Sequence, residues 1–118
     1  MTKHEYLEKA LTWVKKRASV SIKAKNNGYD DPQVFTSRAS QEKVQADFSF
    51  ITRKGEKHYT DIALKSEKPQ RLVTRWKLLS TMASLKDGKL HLLTPRGHKS
   101  FTRKLVQEYN IRAAIYSL

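Results

Sequence analysis

The chain predicts an α/β domain of order αβββαβαβ, with a mixed central sheet flanked by helices. Two observations carry this. Hydrophobic spacing switches from helical to alternating and back along the chain. Three strand-like runs then come in succession, which favours an antiparallel meander, and the later strand–helix–strand alternation favours parallel crossovers. Its 118 residues suffice for one domain, 1–118, with a real core, and no repeat, low-complexity segment or linker divides it.

Thr2 and Glu5 fit a capping box, and Leu7, Ala10, Leu11, Val14 and Ala18 form a helical stripe, so a first helix is expected over Lys3–Arg17. Val20 to Lys25 alternates like a half-buried strand, and Asn26 to Pro32 is turn chemistry. Residues 34–44 are polar with few anchors and are expected as loop, with a short strand near Val34-Phe35. A β-hairpin follows. Pro69 then opens a second helix, with Ser66 or Glu67 near its cap, and Leu72, Trp76, Leu79 and Ala83 mark its stripe. Gly88 suits the stop, Leu90 to Leu93 is a short strand and Thr94 to His98 a loop. Phe101, Leu105, Val106 and Tyr109 mark a third helix ended by Asn110, and Ile111 to Leu118 is a final strand.

The hairpin, Ala46 to Lys65, sets up a question of chemistry. Phe48 and Phe50 share one face of its first strand, and Ile62 and Leu64 share a face of its second. Matching these faces requires even-numbered residues to oppose even-numbered ones, because a slip of one residue turns a strand over. A three-residue loop Lys54-Gly55-Glu56 satisfies this, with Arg53 opposite Lys57, Phe48 opposite Ile62 and Asp47 opposite Ala63. Asp47 then lies diagonal to both Asp61 and Lys65, about 7–8 Å away. Two readings remain open: a salt-bridged polar sheet face, or two acids and a lysine that hold a divalent ion.

Composition favours an anionic partner. The chain has 24 Lys+Arg against 11 Asp+Glu, a formal net charge of +13, and nucleic acid is the commonest partner of such a surface. There is no cysteine, so disulfides, thiolate metal sites and thiol nucleophiles are excluded. The N-terminus has no continuous apolar core of a signal peptide, and no run reaches the length of a membrane span. A soluble protein of the bacterial cytoplasm, with no membrane partner, is the expectation.

The αβββαβ order, an aspartate opening one hairpin strand and a strand ending in lysine resemble the PD-(D/E)XK, or restriction-endonuclease-like, nuclease superfamily. Asp47 matches the first motif acid, with Ala46 where proline is usual, and Lys65 matches the motif lysine. The second acid normally lies two residues before that lysine, where this chain has Ala63; Asp61, two positions earlier on the same face, is the substitute. Glu5 or Glu8 matches the acid that family members contribute from the first helix. The resemblance implies phosphodiester hydrolysis of DNA or RNA with Mg²⁺ or Mn²⁺. Asp47 and Asp61 would hold the metal while Lys65 orients water or stabilises the transition state. It also implies a homodimer as one arrangement, with DNA ahead of RNA as substrate. The displaced acid leaves two alternatives open: a catalytically inactive nucleic-acid-binding module on the same fold, or a protein-interaction domain.

Arg71, Arg75 and Lys77 near the start of the second helix, and Arg96, His98 and Lys99 before the third, are candidate phosphate contacts. Ordinary solvated charge is the plainer account of any one of them. Trp76 is expected in the core. Trp13, off the main stripe, is expected at the rim or against a second copy. His4, His58, His91 and His98 show no metal-ligand spacing, and His91 is expected as a strand residue with a satisfied partner.

Overall fold

The computed structural model describes residues 3–18 and 20–118. Thr2, and with it the expected capping box, lies outside the described residues. The elements are α1 (Lys3–Lys15), β1 (Ile22–Ala24), β2 (Val34–Thr36), β3 (Lys43–Gln45), β4 (Phe48–Ile51), β5 (Lys57–Ile62), α2 (Pro69–Leu85), β6 (Leu90–Thr94), α3 (Lys99–Glu108) and β7 (Ala113–Ser117). The main sheet has the order β1-β4-β5-β6-β7. Its first three strands are antiparallel neighbours, while β5, β6 and β7 run parallel. The expected mixed sheet flanked by helices is therefore present. Among the described residues no helix is long and apolar enough to cross a membrane.

The alternation of each strand divides the apolar residues between two faces. Ala10, Leu11 and Val14 of α1 pack on one face against Phe48, Phe50, Ile62 and Leu93. Leu72, Val73, Trp76, Leu79 and Ala83 of α2 and Leu105 of α3 pack on the other against Tyr59, Leu90 and Leu92. Trp76 is fully buried, as its stripe position predicts.

Both longer crossovers end in the same capping geometry. Asp87, with φ 58, and Asn110, with φ 52, take the left-handed position after α2 and α3. The next amides, of Gly88 and Ile111, donate back to Ala83 and Val106 at 2.9 and 3.0 Å. These are Schellman caps. Asp87 therefore takes the left-handed role expected of Gly88, and Gly88 is required by close packing. A Cβ built there would lie 1.7 Å from the Lys57 carbonyl oxygen.

Three expectations are corrected. The segment 34–44 is not a loop with one short strand. It forms a two-stranded antiparallel ribbon, β2-β3, anchored by buried Val44 and by Phe35, which meets Tyr59 edge-on at 5.9 Å. Only two anchors hold it, too few to show as a period. The α2 N-cap is Lys68 without a side-chain cap, because the Glu67 carboxylate turns instead to Arg75 at 3.0 Å. The hairpin register differs by two residues: Phe48 faces Thr60, Ser49 faces Tyr59 and Phe50 faces His58. Thr52 and Glu56 close the loop through a 3.0 Å amide–carbonyl bond, and Gly55 N–H donates to Thr52 O. The loop is thus Arg53-Lys54-Gly55, a turn followed by Gly55 at φ 81. A three-residue hairpin loop places its left-handed residue last, not in the middle.

Candidate functional site

A shift of two residues preserves which face each side chain occupies. The carboxylates of Asp47 and Asp61 therefore still share a face, but they come together directly instead of diagonally. The Asp47 amide donates to Asp61 Oδ1 at 3.2 Å, and the Ile62 amide donates to Asp47 Oδ2 at 2.9 Å. Each acid thus braces the other's strand where the regular ladder ends. Both are buried, with 0% and 1% exposure.

The remaining oxygens face cations. Asp47 Oδ1 lies 3.3 Å from Lys3 Nζ at the start of α1 and 3.2 Å from Lys25 Nζ just after β1. Neither ammonium is aligned for a hydrogen bond, so this oxygen accepts none. Asp61 Oδ2 accepts from Arg75 Nε at 2.8 Å and from Trp76 Nε1 at 2.9 Å, both on α2. Arg75 Nη2 continues to Glu67 Oε2 at 3.0 Å. Asp47, Asp61 and Glu67 thus face Lys3, Lys25 and Arg75, three acids against three cations.

Burial pushes the Asp47 carboxyl up, but the Lys3 and Lys25 ammonium groups and the Ile62 amide outweigh it and hold the group below its ordinary value. Burial also pushes Asp61 up. Arg75 pulls it back, the neighbouring Asp47 charge adds to the rise, and it sits at about 7. Burial alone would lower the Arg75 guanidinium, yet Asp61 and Glu67 hold it above its usual value.

The other expected members of this site lie elsewhere. The β5 ladder ends at Ile62, so Lys65 does not end a strand. Lys65 stands exposed in the following turn, and its backbone amide donates to His98 Nδ1 at 3.0 Å. Glu5 is exposed on α1, and Glu8 accepts a 3.4 Å bond from Asn26. Among the described residues no three His, Asp or Glu side chains are grouped to hold a metal ion. Arg75, expected as a phosphate contact, is committed to Asp61 and Glu67. A signal for this was present: Arg75 lies three residues after Leu72 and next to Trp76, on the stripe that faces the sheet. Nothing local pointed to Lys3 or Lys25, which come from distant parts of the chain.

The remaining basic candidates fall into two groups. Because β5 and β6 run parallel, the helices that follow them, α2 and α3, both begin beyond the carboxyl ends of the strands. Both helix starts lack an acidic residue in the first turn and a side-chain cap, with Lys68 and His98 at the cap positions. The Lys65–His98 bond ties the two loops together, so Lys65, Lys68, Arg71, Arg96, His98 and Lys99 lie along one rim. Beside it opens a cleft of about 560 Å³ lined by Lys43, Lys68, Arg71 and Arg75 with Glu42 and Glu67. Lys77 is apart from this rim, 5.6 Å over the Tyr109 ring in the α2–α3 groove. Comparison with protein-family models, with curated proteins and with solved structures finds no match for this chain.

Proposed function

We propose that this chain is a nucleic-acid-binding module on a PD-(D/E)XK-like fold, in which the paired acids serve structure and the basic rim serves binding. The observation that carries the reading is the occupancy of the carboxylates. Three of the four oxygens of Asp47 and Asp61 accept protein hydrogen bonds, and the fourth faces two ammonium groups. Mg²⁺ or Mn²⁺ would have to displace these donors, enter a buried position and compete with the three cations already seated there. The mutual bracing of the two strands also gives the pair a structural role of its own.

The net charge of +13 and the rim at the strands' carboxyl ends support nucleic acid as the partner. Exposed lysine and arginine, with helix N-termini behind them, suit phosphate oxygens and carry no base readout. Such contacts position a backbone and release counterions, so affinity should fall steeply with salt.

A second reading, a Mg²⁺- or Mn²⁺-dependent nuclease, keeps one specific observation in its favour: two acids meet on one sheet face, one of them held near neutral protonation. Two assays separate them. Binding to short DNA and RNA duplexes is measured against salt, and Lys68→Glu with Arg96→Glu should weaken it and flatten the logarithmic salt slope by roughly 2. Plasmid nicking with Mn²⁺ should give no activity above that of Asp47→Ala. Cleavage that disappears in Asp47→Ala would reinstate the nuclease. Binding that ignores salt, or ignores the rim substitutions, would remove nucleic acid as the partner of this rim.

A further inference from the structure

At the opposite end of β5 and β6, a histidine pair lies under the C-terminal half of α1. His58 Nδ1 is 3.0 Å from His91 Nε2. The backbone amide of Lys89 fixes which nitrogen carries the proton. It donates to His58 Nδ1 at 3.1 Å, and an amide can only donate. His58 Nδ1 is therefore an acceptor, and the His58 proton sits on Nε2, 3.4 Å from Glu56 Oε1. His91 Nε2 must then be the donor to His58. The last basic nitrogen, His91 Nδ1, is left without a proton and without a partner.

That nitrogen has no way to accept a proton cheaply. His91 is 8% exposed, with Trp13 of α1 at 5.3 Å and Tyr116 of β7 at 5.8 Å between ring centroids. Phe50 of β4 stacks on His58 at 5.1 Å. The charged groups around the pair are Arg17, whose guanidinium sits 3.8 Å over the Trp13 ring, Lys89 before β6, and Glu56. The one acid among them touches His58 and not His91. An imidazolium at His91 would be buried beside cations, with a stranded N–H. Burial, then the charges of His58, Arg17 and Lys89, hold His91 down at about 4.

We propose that the His58–His91 pair makes the docking of α1 acid-labile: His91 stays neutral while Trp13 and Arg17 are seated, and its protonation requires the C-terminal half of α1 to lift. The coupling reaches the acid pair, because α1 also carries Lys3 to Asp47. A metal ion does not explain the pair, since the one His58 lone pair that a ligand would use is shared by the Lys89 amide and the His91 N–H.

The test is hydrogen exchange of the Leu11–Lys15 amides, corrected for intrinsic rates, with the imidazole tautomers followed by nitrogen NMR. Opening in the wild type should rise roughly tenfold for each pH unit below the ordinary histidine value of about 6.5, as linkage requires of a group protonated only in the open form. His91→Leu should make this local opening independent of pH in that window. His91 should remain the Nε2–H tautomer down to about pH 5. If His91→Leu fails to fold, the wild-type measurements decide alone. Protection of α1 that does not change with pH, a His91 that titrates at the ordinary value while α1 stays docked, or an unaltered pH response in His91→Leu would overturn the proposal.

Discussion

Removing the Asp61 carboxylate tests whether the paired acids hold the fold together or wait for a metal. In Asp61→Ala three donors lose their acceptor: the Asp47 amide, Arg75 Nε and Trp76 Nε1. Breaking a buried ion pair from one side costs about 3–5 kcal/mol, because the remaining charge stays buried. The indole and the amide would each cost about 1–3 kcal/mol alone, but these losses overlap, since one void serves all three groups. Arg75 keeps Glu67, and its side chain is 16% exposed, so part of its charge stays compensated. A loss of about 3–5 kcal/mol is therefore the expectation, against a total stability of about 5–15 kcal/mol for a domain. With a urea slope of about 2 kcal/mol per molar, the unfolding midpoint should fall by about 2 M. Asp61→Asn keeps one oxygen as acceptor and removes a charge that burial disfavours, so it should cost clearly less than Asp61→Ala, and it remains measurable if Asp61→Ala does not fold. The structural role rests on the acceptor more than on the charge, so an Asp61→Ala protein as stable as the wild type refutes it.

Asp47→Ala should cost less than Asp61→Ala, about 1–3 kcal/mol, because its lysine partners are about a third exposed and can return to water, leaving the Ile62 amide as the main orphan. Two groups should pull the pH profile in opposite directions. Asp61 is raised from 3.8 to about 7 on folding, so its contribution is fully present below pH 3.8 and is lost as pH rises through 7. His91 is lowered from 6.5 to about 4, so its contribution is present above pH 6.5 and is lost as pH falls toward 4. Denaturant titrations should therefore show stability falling with acid in Asp61→Asn and falling with base in His91→Leu. Equal profiles in the two variants would contradict both assignments. Gly88→Ala should destabilise by on the order of 3 kcal/mol, since its Cβ meets the Lys57 backbone, whereas Gly55→Ala, in open space at φ 81, should cost about 1 kcal/mol. Similar midpoints for the two glycine variants would show that β5 yields to the intrusion.

The rim and the histidine pair sit at opposite ends of the parallel strands, with the acid pair close to the rim. α1 spans between them: Lys3 at its start meets Asp47, and Trp13 near its end covers His91. One helix thus links a pH-sensitive contact to the charge balance beside the basic edge. The Lys65–His98 bond plays the matching part on the other side, holding two loops from different crossovers at a fixed spacing.

By itself the sequence determined whatever depends on spacing within a segment. The stripe around Trp76, the alternation of Phe48 and Phe50, and the parity that keeps Asp47 and Asp61 on one face are local periods, and burial enforces them wherever the segment packs. The tertiary structure alone decided who meets whom. The two-residue register shift followed from the place of Gly55 within its turn, and it turned a diagonal pair of acids into mutually bonded ones. Lys3, Lys25 and Arg75 reach those acids from three separate parts of the chain, and the Lys89 amide sets the protons of a histidine pair drawn from two strands. Such partners are brought together only when the chain closes on itself, because charge pairing and proton placement depend on distances in space that no residue spacing encodes.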